Sequence, residues 1–441
     1  MDDETIVATH HAHPVDGASA ARLEADGLTL RRLRNEERPE FEAWQAAVVR
    51  GFLDTEPSEA QRGAGFDSLG YRRLIAVLDP AAPEPTVPVG TFASWVGRLS
   101  VPGGEIPSCG ISSVTVSPTH RRRGAQLPLH HRPRDAPAAV LGLPIASLTV
   151  SESTLYGRYG FAPAAATASL ELDVKRATWS GPVPPGRVDF ISRERWRALA
   201  PELFERVHAS RPGEFEMPGG HWDRFAGTRP DAEKPGAIRA VQYADAEGAV
   251  RGLALYTVTE NHADFTKSTV DLQFLLADGD DAYAALWRFV VELDLIAIVR
   301  ANELSVDEPL IWMISDRRAA TVTLRDHHYL RILDVAAALS ARRYAAPGRF
   351  VLEVDDPLGI TGGRFVLDVD AGGVGSARAA EGDADDGAVR VRLGIAELSA
   401  LYLGQVSAVT LVAAGRLASS DAVAVHRTFG WDVPARLSYW Y

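Results

Sequence analysis

Apolar and polar residues alternate over residues 28–33, LTLRRL, and this period of two predicts a β-strand. Further along, Phe41, Trp44 and Val48 recur at the three- and four-residue spacing of one helix face. The pattern therefore predicts a strand followed by an amphipathic helix.

Runs of β-branched and apolar residues predict more strands in the same region. They are RRLIAVLD (72–79), VGTFASWVGRL (89–99), ISSVTVS (111–117) and the buried parallel-type LPIASLTVS (143–151). STLYGRYGF (153–161) follows as a short helix that ends in glycine. Strands and helices in this order predict an α/β unit with a mixed sheet.

A second unit of the same kind is predicted from about residue 167. Its helices are SRERWRALAPELFERVHAS (192–210) and DAYAALWRFVVELDL (281–295), and its strands are AIRAVQYAD (237–245), VRGLALYTVTE (250–260) and STVDLQFLLAD (268–278). The turn before the later helix, DGDDA, is acidic and has no basic phosphate-binding residues. This unit is therefore interpreted as a degenerate duplicate of the first.

A third unit, from about residue 345, is predicted as a strand layer covered by helices. GRFVLEVDD (348–356) and GGRFVLDVDAGG (362–373) are its strands, and GIAELSALYLG (394–404) and SAVTLVAAGRL (407–417) its helices. The acidic loop GDADDG carries carboxylates at 383, 385 and 386, which suggests calcium. The loop lacks the spaced glutamate of an EF-hand, so we interpret it as a solvated turn and expect no metal.

Length and charge limit the possible functions. A chain of 441 residues favours two to four domains. The net charge of −12 disfavours nucleic acid as a partner and suits cationic ligands better, although acidity often serves only solubility.

The amino-terminal segment and the single cysteine bear on the compartment. Residues 1–17 lack the apolar core of a signal peptide, and no segment has about 18 uninterrupted apolar residues. Cys109 alone cannot form an internal disulfide. We expect a soluble, cytoplasmic protein without a membrane span, in which His10, His11 and His13 belong to a mobile polar tail.

Residues 114–124, VTVSPTHRRRG, predict an anion-binding turn. If the strand that carries Val114 and Val116 parts from its neighbour, its backbone groups become free to pair with an extended ligand. Arg121 and Arg122 add positive charge where a helix would begin, and Gly124 lets the backbone approach an anion. The alternative is a solvated basic turn.

The pattern V-x-V-x-P-x-x-R-R-R-G resembles the acetyl-CoA signature of GNAT acetyltransferases. SESTLYGRYGFAPA (151–164) resembles the enhanced-intracellular-survival (Eis) family within that class, and AALWRF, DEPLIWMISD and HHYLRILDVAAALSARRY fall in the family's order. The resemblance implies an α/β fold with mixed sheets: a GNAT domain over 1–165, a degenerate GNAT domain over 166–343 and a sterol-carrier-like domain over 344–441. It also implies a homo-hexamer.

By the same resemblance, acetyl-CoA is the acetyl donor. Val114, Val116, Arg121, Arg122 and Gly124 would hold its pantetheine and pyrophosphate. Ser151 would help to place the thioester.

The family's acid and base also map onto this chain. Tyr156 matches the general acid that protonates the sulfur of coenzyme A, and the main-chain carboxylate of Tyr441 matches the base that accepts the proton of the amine. The alternatives are a packing tyrosine at a helix start and an apolar tail docked on a surface. Trp440 stands where some members carry an acid, so contacts with a cationic substrate are expected to differ.

Three prolines depart from the family pattern. Relatives have an amphipathic helix after Gly124, whereas Pro128, Pro133 and Pro137 would break one, because an interior proline costs about 3 kcal/mol. Either the segment is a genuine loop that weakens coenzyme A binding, or residues 125–140 are an out-of-frame read, which fits the unaltered length. Resequencing the gene distinguishes the two.

These observations favour an N-acetyltransferase acting on small cationic amines such as aminoglycosides, or on lysine side chains. The prolines motivate a second hypothesis, a catalytically impaired scaffold or binding protein. The sterol-carrier resemblance alone motivates a third, carriage of an apolar ligand.

Overall fold

The computed structural model describes residues 3–121, 141–380 and 387–441, and the chain forms two compact units. The first unit comprises 1–165, 328–432 and 441, and the second comprises 166–327 and 433–440. None of the helices in the described ranges is both long enough and apolar enough to cross a membrane.

The amino-terminal part of the first unit contains the predicted α/β pattern. Its helices are α1 (Asp3–Ala12), α2 (Gly17–Ala25), α3 (Arg38–Gly51), α4 (Glu59–Ser68) and α5 (Ser153–Tyr156). Its strands are β1 (Thr29–Arg32), β2 (Arg73–Leu78), β3 (Gly90–Val101), β4 (Gly104–Val116) and β5 (Ile145–Thr149). Strand β6 (Ala162–Asp173) carries the chain into the second unit, and β12 (Ala320–Ile332) carries it back.

The sheet of this unit is mixed, as predicted. Its order is β1-β2-β3-β4-β5-β12, and β4 and β5 are the parallel pair. On one face α3 buries Phe41 and Trp44 against Leu74 and Ala93. The indole of Trp44 also donates a 3.0 Å hydrogen bond to the carbonyl oxygen of Ile75. Each buried aromatic contributes roughly 1.5–3 kcal/mol by leaving water.

The prediction of a mobile tail for the first histidines is wrong. They lie on and just after α1, where His10 is 1% exposed and its ring lies 3.2 Å from the hydroxyl of Ser94. His11 contacts the carbonyl oxygen of Tyr71 at 2.7 Å, and Arg73 donates to the carbonyl oxygens of His13 and Pro14. Tertiary contacts with β2 and β3 therefore order a segment whose own sequence is polar.

The second unit repeats the arrangement. Its elements are β7 (Arg187–Ile191), α6 (Arg193–His208), α7 (Gly219–Ala226), β8 (Arg239–Ala244), β9 (Val250–Thr259), β10 (Ser268–Ala277), α8 (Asp280–Val291) and β11 (Ile296–Leu304). The strand order is β6-β11-β10-β9-β8-β7, and β10 and β11 are parallel and joined through α8. Asp280 and Asp281 occupy the first turn of α8, so the basic turn of the first unit has an acidic counterpart here.

The carboxy-terminal part of the first unit is a second sheet with helices. Its elements are α9 (Val335–Ala341), β13 (Gly348–Asp355), β14 (Gly363–Val369), β15 (Gly375–Ala379), β16 (Val389–Gly394), α10 (Ile395–Leu401), α11 (Ala408–Ala413), β17 (Leu417–Ser419) and α12 (Ala422–Phe429). The strand order is β15-β14-β13-β16-β17. The acidic positions 383, 385 and 386 lie outside the described residues.

A buried arginine occupies the interior of this last region. Arg342 is 1% exposed and donates to the carbonyl oxygens of Leu401, Tyr402 and Phe429, at the carboxyl ends of α10 and α12. Its guanidinium group therefore binds carbonyl oxygens at helix ends, where the last carbonyls have no partner within the helix.

Candidate active site

The parallel strands β4 and β5 part towards their carboxyl ends. They pair only from Cys109 to Ile111 on β4 and from Ala146 to Leu148 on β5. Beyond Ile111, β4 continues to Val116 in register with β3 alone. The sequence expectation that this strand separates from its neighbour is therefore met in the geometry of the sheet.

A β-bulge accompanies the parting. Thr115 pairs with Thr91 and Ser112 with Ala93, so β4 contains one residue more than β3 between these two pairs. Ser113 has a φ of 54°, which costs a residue with a side chain of the order of 1 kcal/mol. Bulges bend the strand that carries them, which accounts for the departure of β4 from β5.

A backbone amide beyond the bulge faces the opening. The amide of Ser117 donates to the carbonyl oxygen of Val89 at 2.8 Å, on the β3 side. Because successive amides along a regular strand point in opposite directions, that of Val116 points away from β3. Val114 lies within the bulge, between the pairs Ser112–Ala93 and Thr115–Thr91, where this alternation is interrupted.

The turn after β4 is held by a histidine. Pro118–His120 is a 3₁₀ turn, and the ring of His120 contacts Asp79 through Nε2 at 2.9 Å and the hydroxyl of Thr119 through Nδ1 at 2.7 Å. Since the Asp79 carboxylate can only accept, Nε2 is the donor. This hydrogen bond joins the end of β2 to the end of β4. Arg121 follows and is exposed, while Arg122 and Gly124 lie outside the described residues.

Tyr156 is buried at the end of α5. It shares an apolar cluster with Val114, Ile111 and Leu148, and its ring meets that of Phe161 edge-on with centroids 6.3 Å apart. Burial raises the pKa of its hydroxyl, and the charge of Glu152 raises it further. Within the described residues no hydrogen-bond partner is present for this hydroxyl. Ser151, just beyond β5, is exposed.

Tyr441 lies against the other face of β5. Its hydroxyl donates to Ser147 at 2.9 Å and lies 2.9 Å from Nε2 of His328. Its ring meets Trp95 edge-on at 5.1 Å, and its main-chain oxygen accepts a 2.8 Å hydrogen bond from the hydroxyl of Thr149. Burial raises the pKa of the Tyr441 phenol far above its ordinary value.

The structure gathers several of the predicted residues around the carboxyl end of β5. Val114 and Tyr156 share the cluster on the Leu148 side of the strand, and Tyr441 occupies the side of Ser147 and Thr149. The contacts of Tyr441 were not foreseen, because Thr149 and Ser147 read in sequence as ordinary strand residues. Polar and apolar residues alternate at the end of β5, and this pattern was the available signal that one face of the strand packs in an apolar cluster while the other makes hydrogen bonds.

Family comparisons agree with the architecture. Residues 31–164 and 213–332 each match an acetyltransferase (GNAT) domain, and residues 335–435 match a sterol carrier protein domain. The predicted succession of two GNAT domains and a sterol-carrier-like domain is confirmed. The matched ranges leave α1 and α2 outside the GNAT domains.

The relatives of this chain are named as N-acetyltransferases. An uncharacterized N-acetyltransferase of Streptomyces griseus is 36% identical over 397 residues, covering 86% of this chain and 91% of the relative. N-acetyltransferase Eis of Mycobacterium tuberculosis is 34% identical over 388 residues, covering 83% and 88%.

Solved structures share the fold. Eis1 of Mycobacterium abscessus matches with a TM-score of 0.77 at 24% identity, over 93% of this chain and 100% of that one. A GCN5-related N-acetyltransferase of Anabaena variabilis matches with a TM-score of 0.76 at 18% identity, over 94% and 100%. The sequence relatives and the domain order together show that this chain belongs to the Eis family of GNAT N-acetyltransferases.

Proposed function

We propose that this N-acetyltransferase moves the acetyl group of acetyl-CoA to an amine of a small cationic substrate such as an aminoglycoside, at the opening between β4 and β5. The parting of these strands supports the proposal, because β4 pairs with β5 only as far as Ile111, and an extended acyl chain could then pair with the edge of β4 that carries the amides of Val114 and Val116.

The donor would lie along β4. The two amides would bind the pantetheine arm, and the amide near Val116 would polarise the thioester carbonyl as charge develops on its oxygen. Arg121, with Arg122 and Gly124 after it in sequence, would hold the pyrophosphate. Ser151, exposed beyond β5, would help to place the thioester.

Tyr156 would act as the general acid. The substrate nitrogen attacks the carbonyl carbon, the carbon–sulfur bond breaks, and the departing thiolate of coenzyme A takes a proton from the Tyr156 hydroxyl. The pKa of this hydroxyl is raised by burial, so it stays protonated at neutral pH. Its lack of a partner among the described residues leaves the proton available for transfer.

The base would be the main-chain carboxylate of Tyr441, a role that requires Tyr441 to be the last residue of the mature protein. It would accept the proton that the amine nitrogen releases once its lone pair has formed the bond to the carbonyl carbon. Thr149 would orient this group through its 2.8 Å hydrogen bond, and the buried ring would anchor it.

The acceptor is proposed from the family resemblance and from charge. A net charge of −12 attracts polyamines. Aminoglycosides are therefore the first choice of acceptor substrate, and lysine side chains are the second. We extend the proposal to a cytoplasmic homo-hexamer with domain boundaries near 165 and 343. The prolines at 128, 133 and 137 motivate the impaired-scaffold alternative, and the match to a sterol carrier protein domain motivates apolar-ligand carriage.

A coupled assay tests the proposal. Purified protein is incubated with acetyl-CoA and a panel of aminoglycosides, simple monoamines and a lysine peptide, and free thiol release is followed while mass spectrometry monitors the amine. We expect thiol release that depends on an aminoglycoside and a product heavier by one or more acetyl groups. Thiol release that is equal without amine, or no acetylated product from any amine, would reject it.

A further inference from the structure

Arg331 and Asp356 form a fully buried ion pair in the first unit. Nη2 of Arg331, on β12, donates to both carboxylate oxygens of Asp356 at 2.9 and 2.8 Å, and each side chain is 1% exposed. A buried ion pair is weak evidence for stability, because desolvation cancels much of its attraction. The other hydrogen bonds of Arg331 and Asp356 indicate instead which backbone segments the pair holds in place.

The same arginine holds the segment that follows Tyr156. Nε of Arg331 donates to the carbonyl oxygen of Tyr159 at 2.9 Å. The next residue, Gly160, has a φ of +80°, and a Cβ there would lie 2.6 Å from Nε of Arg331 and 2.9 Å from Ile395. Position 160 therefore has no space for a side chain between Arg331 and Ile395 of the sterol-carrier-like domain.

Asp356 organises the other side of the contact. Its carboxylate accepts hydrogen bonds from the amides of Ile360 and Thr361 at 2.9 and 3.0 Å and from that of Leu358 at 3.3 Å. Leu358 packs against the apolar cluster that contains Tyr156 and Tyr159. One carboxylate therefore fixes a loop of the sterol-carrier-like domain against the apolar cluster that contains the proposed acid.

We propose that Arg331 and Asp356 are positioning residues. Through them the sterol-carrier-like domain holds Tyr156 in the position from which its hydroxyl protonates the sulfur of coenzyme A. This inference rests on the proposed function of Tyr156. It assigns the third domain a part in the chemical step that needs no ligand of its own.

The direct test is Arg331→Lys in the full-length protein. Lysine keeps a positive charge beside Asp356, but it has one nitrogen in place of the Nη2 that binds Asp356 and the Nε that binds the carbonyl of Tyr159. We expect kcat to fall about tenfold or more, with KM for acetyl-CoA within about twofold of wild type. The alkaline limb of the kcat profile should move to lower pH, because a loosened Tyr156 is less buried. The double variant Arg331→Met, Asp356→Leu removes both charges without leaving one unpaired. If Arg331→Lys does not fold, this variant should show the same fall in kcat with a nearly unchanged KM for acetyl-CoA.

Arg342→Met is the matched control for stability. Arg342 is also a buried arginine of the first unit, but its hydrogen bonds go to carbonyl oxygens other than that of Tyr159. Its removal should therefore lower the melting temperature while the folded enzyme keeps its kcat. Wild-type kcat in folded Arg331→Lys, or an equal loss in Arg342→Met, would overturn the inference.

Tyr156→Phe separates this inference from the function on which it rests. Adding Arg331→Lys to Tyr156→Phe should cost nothing further, since both act on one step. If Tyr156→Phe alone keeps full activity, the proposed acid is wrong. If Tyr156→Phe is impaired and Arg331→Lys is not, only the positioning role fails.

Discussion

The hydroxyl of Thr149 donates a 2.8 Å hydrogen bond to the main-chain oxygen of Tyr441, although 292 positions separate the two residues. Thr149 is the last residue of β5, at the end where β5 parts from β4. Tyr441 is thus held beside the strand that leads into Tyr156.

Thr149→Val keeps the shape of the side chain and removes the hydrogen bond to Tyr441. A hydrogen bond to a charged group contributes about 1.5–3 kcal/mol, and each 1.4 kcal/mol is roughly tenfold in rate. We expect kcat with an aminoglycoside to fall about tenfold or more and the melting temperature to change little. Thr167→Val, which removes a comparable hydroxyl-to-carbonyl hydrogen bond to Leu304, is the control and should keep wild-type kcat. Equal rates in the two variants would exclude a role for Thr149.

Tyr156→Phe removes the proposed acid and keeps the packing of the ring. General acids contribute about 100- to 10,000-fold, so kcat should fall at least 100-fold with KM for acetyl-CoA nearly unchanged. The pKa of Tyr156 is raised, so the alkaline limb of wild-type kcat should lie above pH 10.0. Tyr159→Phe, in the same cluster and also with a raised pKa, is the control. Indistinguishable kinetics for the two variants would remove Tyr156 from the mechanism.

His120→Ala tests the turn that presents Arg121. Without the hydrogen bonds from His120 to Asp79 and Thr119, the turn after β4 loses its connection to β2. We expect KM for acetyl-CoA to rise about tenfold while kcat at saturation stays within about twofold, because the loss concerns donor binding and not chemistry. Asp79→Asn should give a smaller change in the same direction. A fall in kcat at constant KM would contradict this assignment.

His10 should make stability depend on pH. Burial, and secondly the charge of Arg73, lowers the pKa of His10 from 6.5 to about 3, so the folded protein keeps the ring neutral. The unfolded chain takes up this proton below pH 6.5, so stability is complete above pH 6.5 and is lost as the pH falls towards 3, by up to about 1.4 kcal/mol per pH unit. Thermal unfolding of wild type and His10→Gln at pH 7 and pH 5 measures the effect. The variant should lose less stability over this interval, and identical losses would contradict the prediction.

The sequence predicts elements well wherever apolar spacing is regular. Apolar residues that recur every two positions predict β1 to β3 and β8 to β10, and those that recur every three or four positions predict α3 and α8. These patterns fail at α1 and α2, whose helices depend on contacts such as His10 with Ser94 that no local pattern announces. They also miss the early half of β4, because Pro107 and Gly110 look like breaks. Gly110 is needed there, since a Cβ would lie 2.5 Å from the indole of Trp95.

The candidate site was predictable only through local motifs. Val114 and Val116 were predicted from a motif of a few residues, and Tyr156 and Tyr441 from the family resemblance. Arg331, Asp356 and Thr149 were not predicted, because their contacts join distant segments of the chain. Arg122, Gly124 and the three prolines lie outside the described residues, so the two explanations of that segment remain alternatives for resequencing to decide.

The most direct test of the central claim, that the carboxylate of Tyr441 and the hydroxyl of Tyr156 serve one acetyl transfer, is kcat of a variant with one glycine added after Tyr441. Intact mass first verifies that wild type ends at Tyr441. The account predicts that the extended protein binds acetyl-CoA and melts like wild type but releases coenzyme A at least about 100-fold more slowly with an aminoglycoside. Wild-type kcat in the extended protein would contradict it.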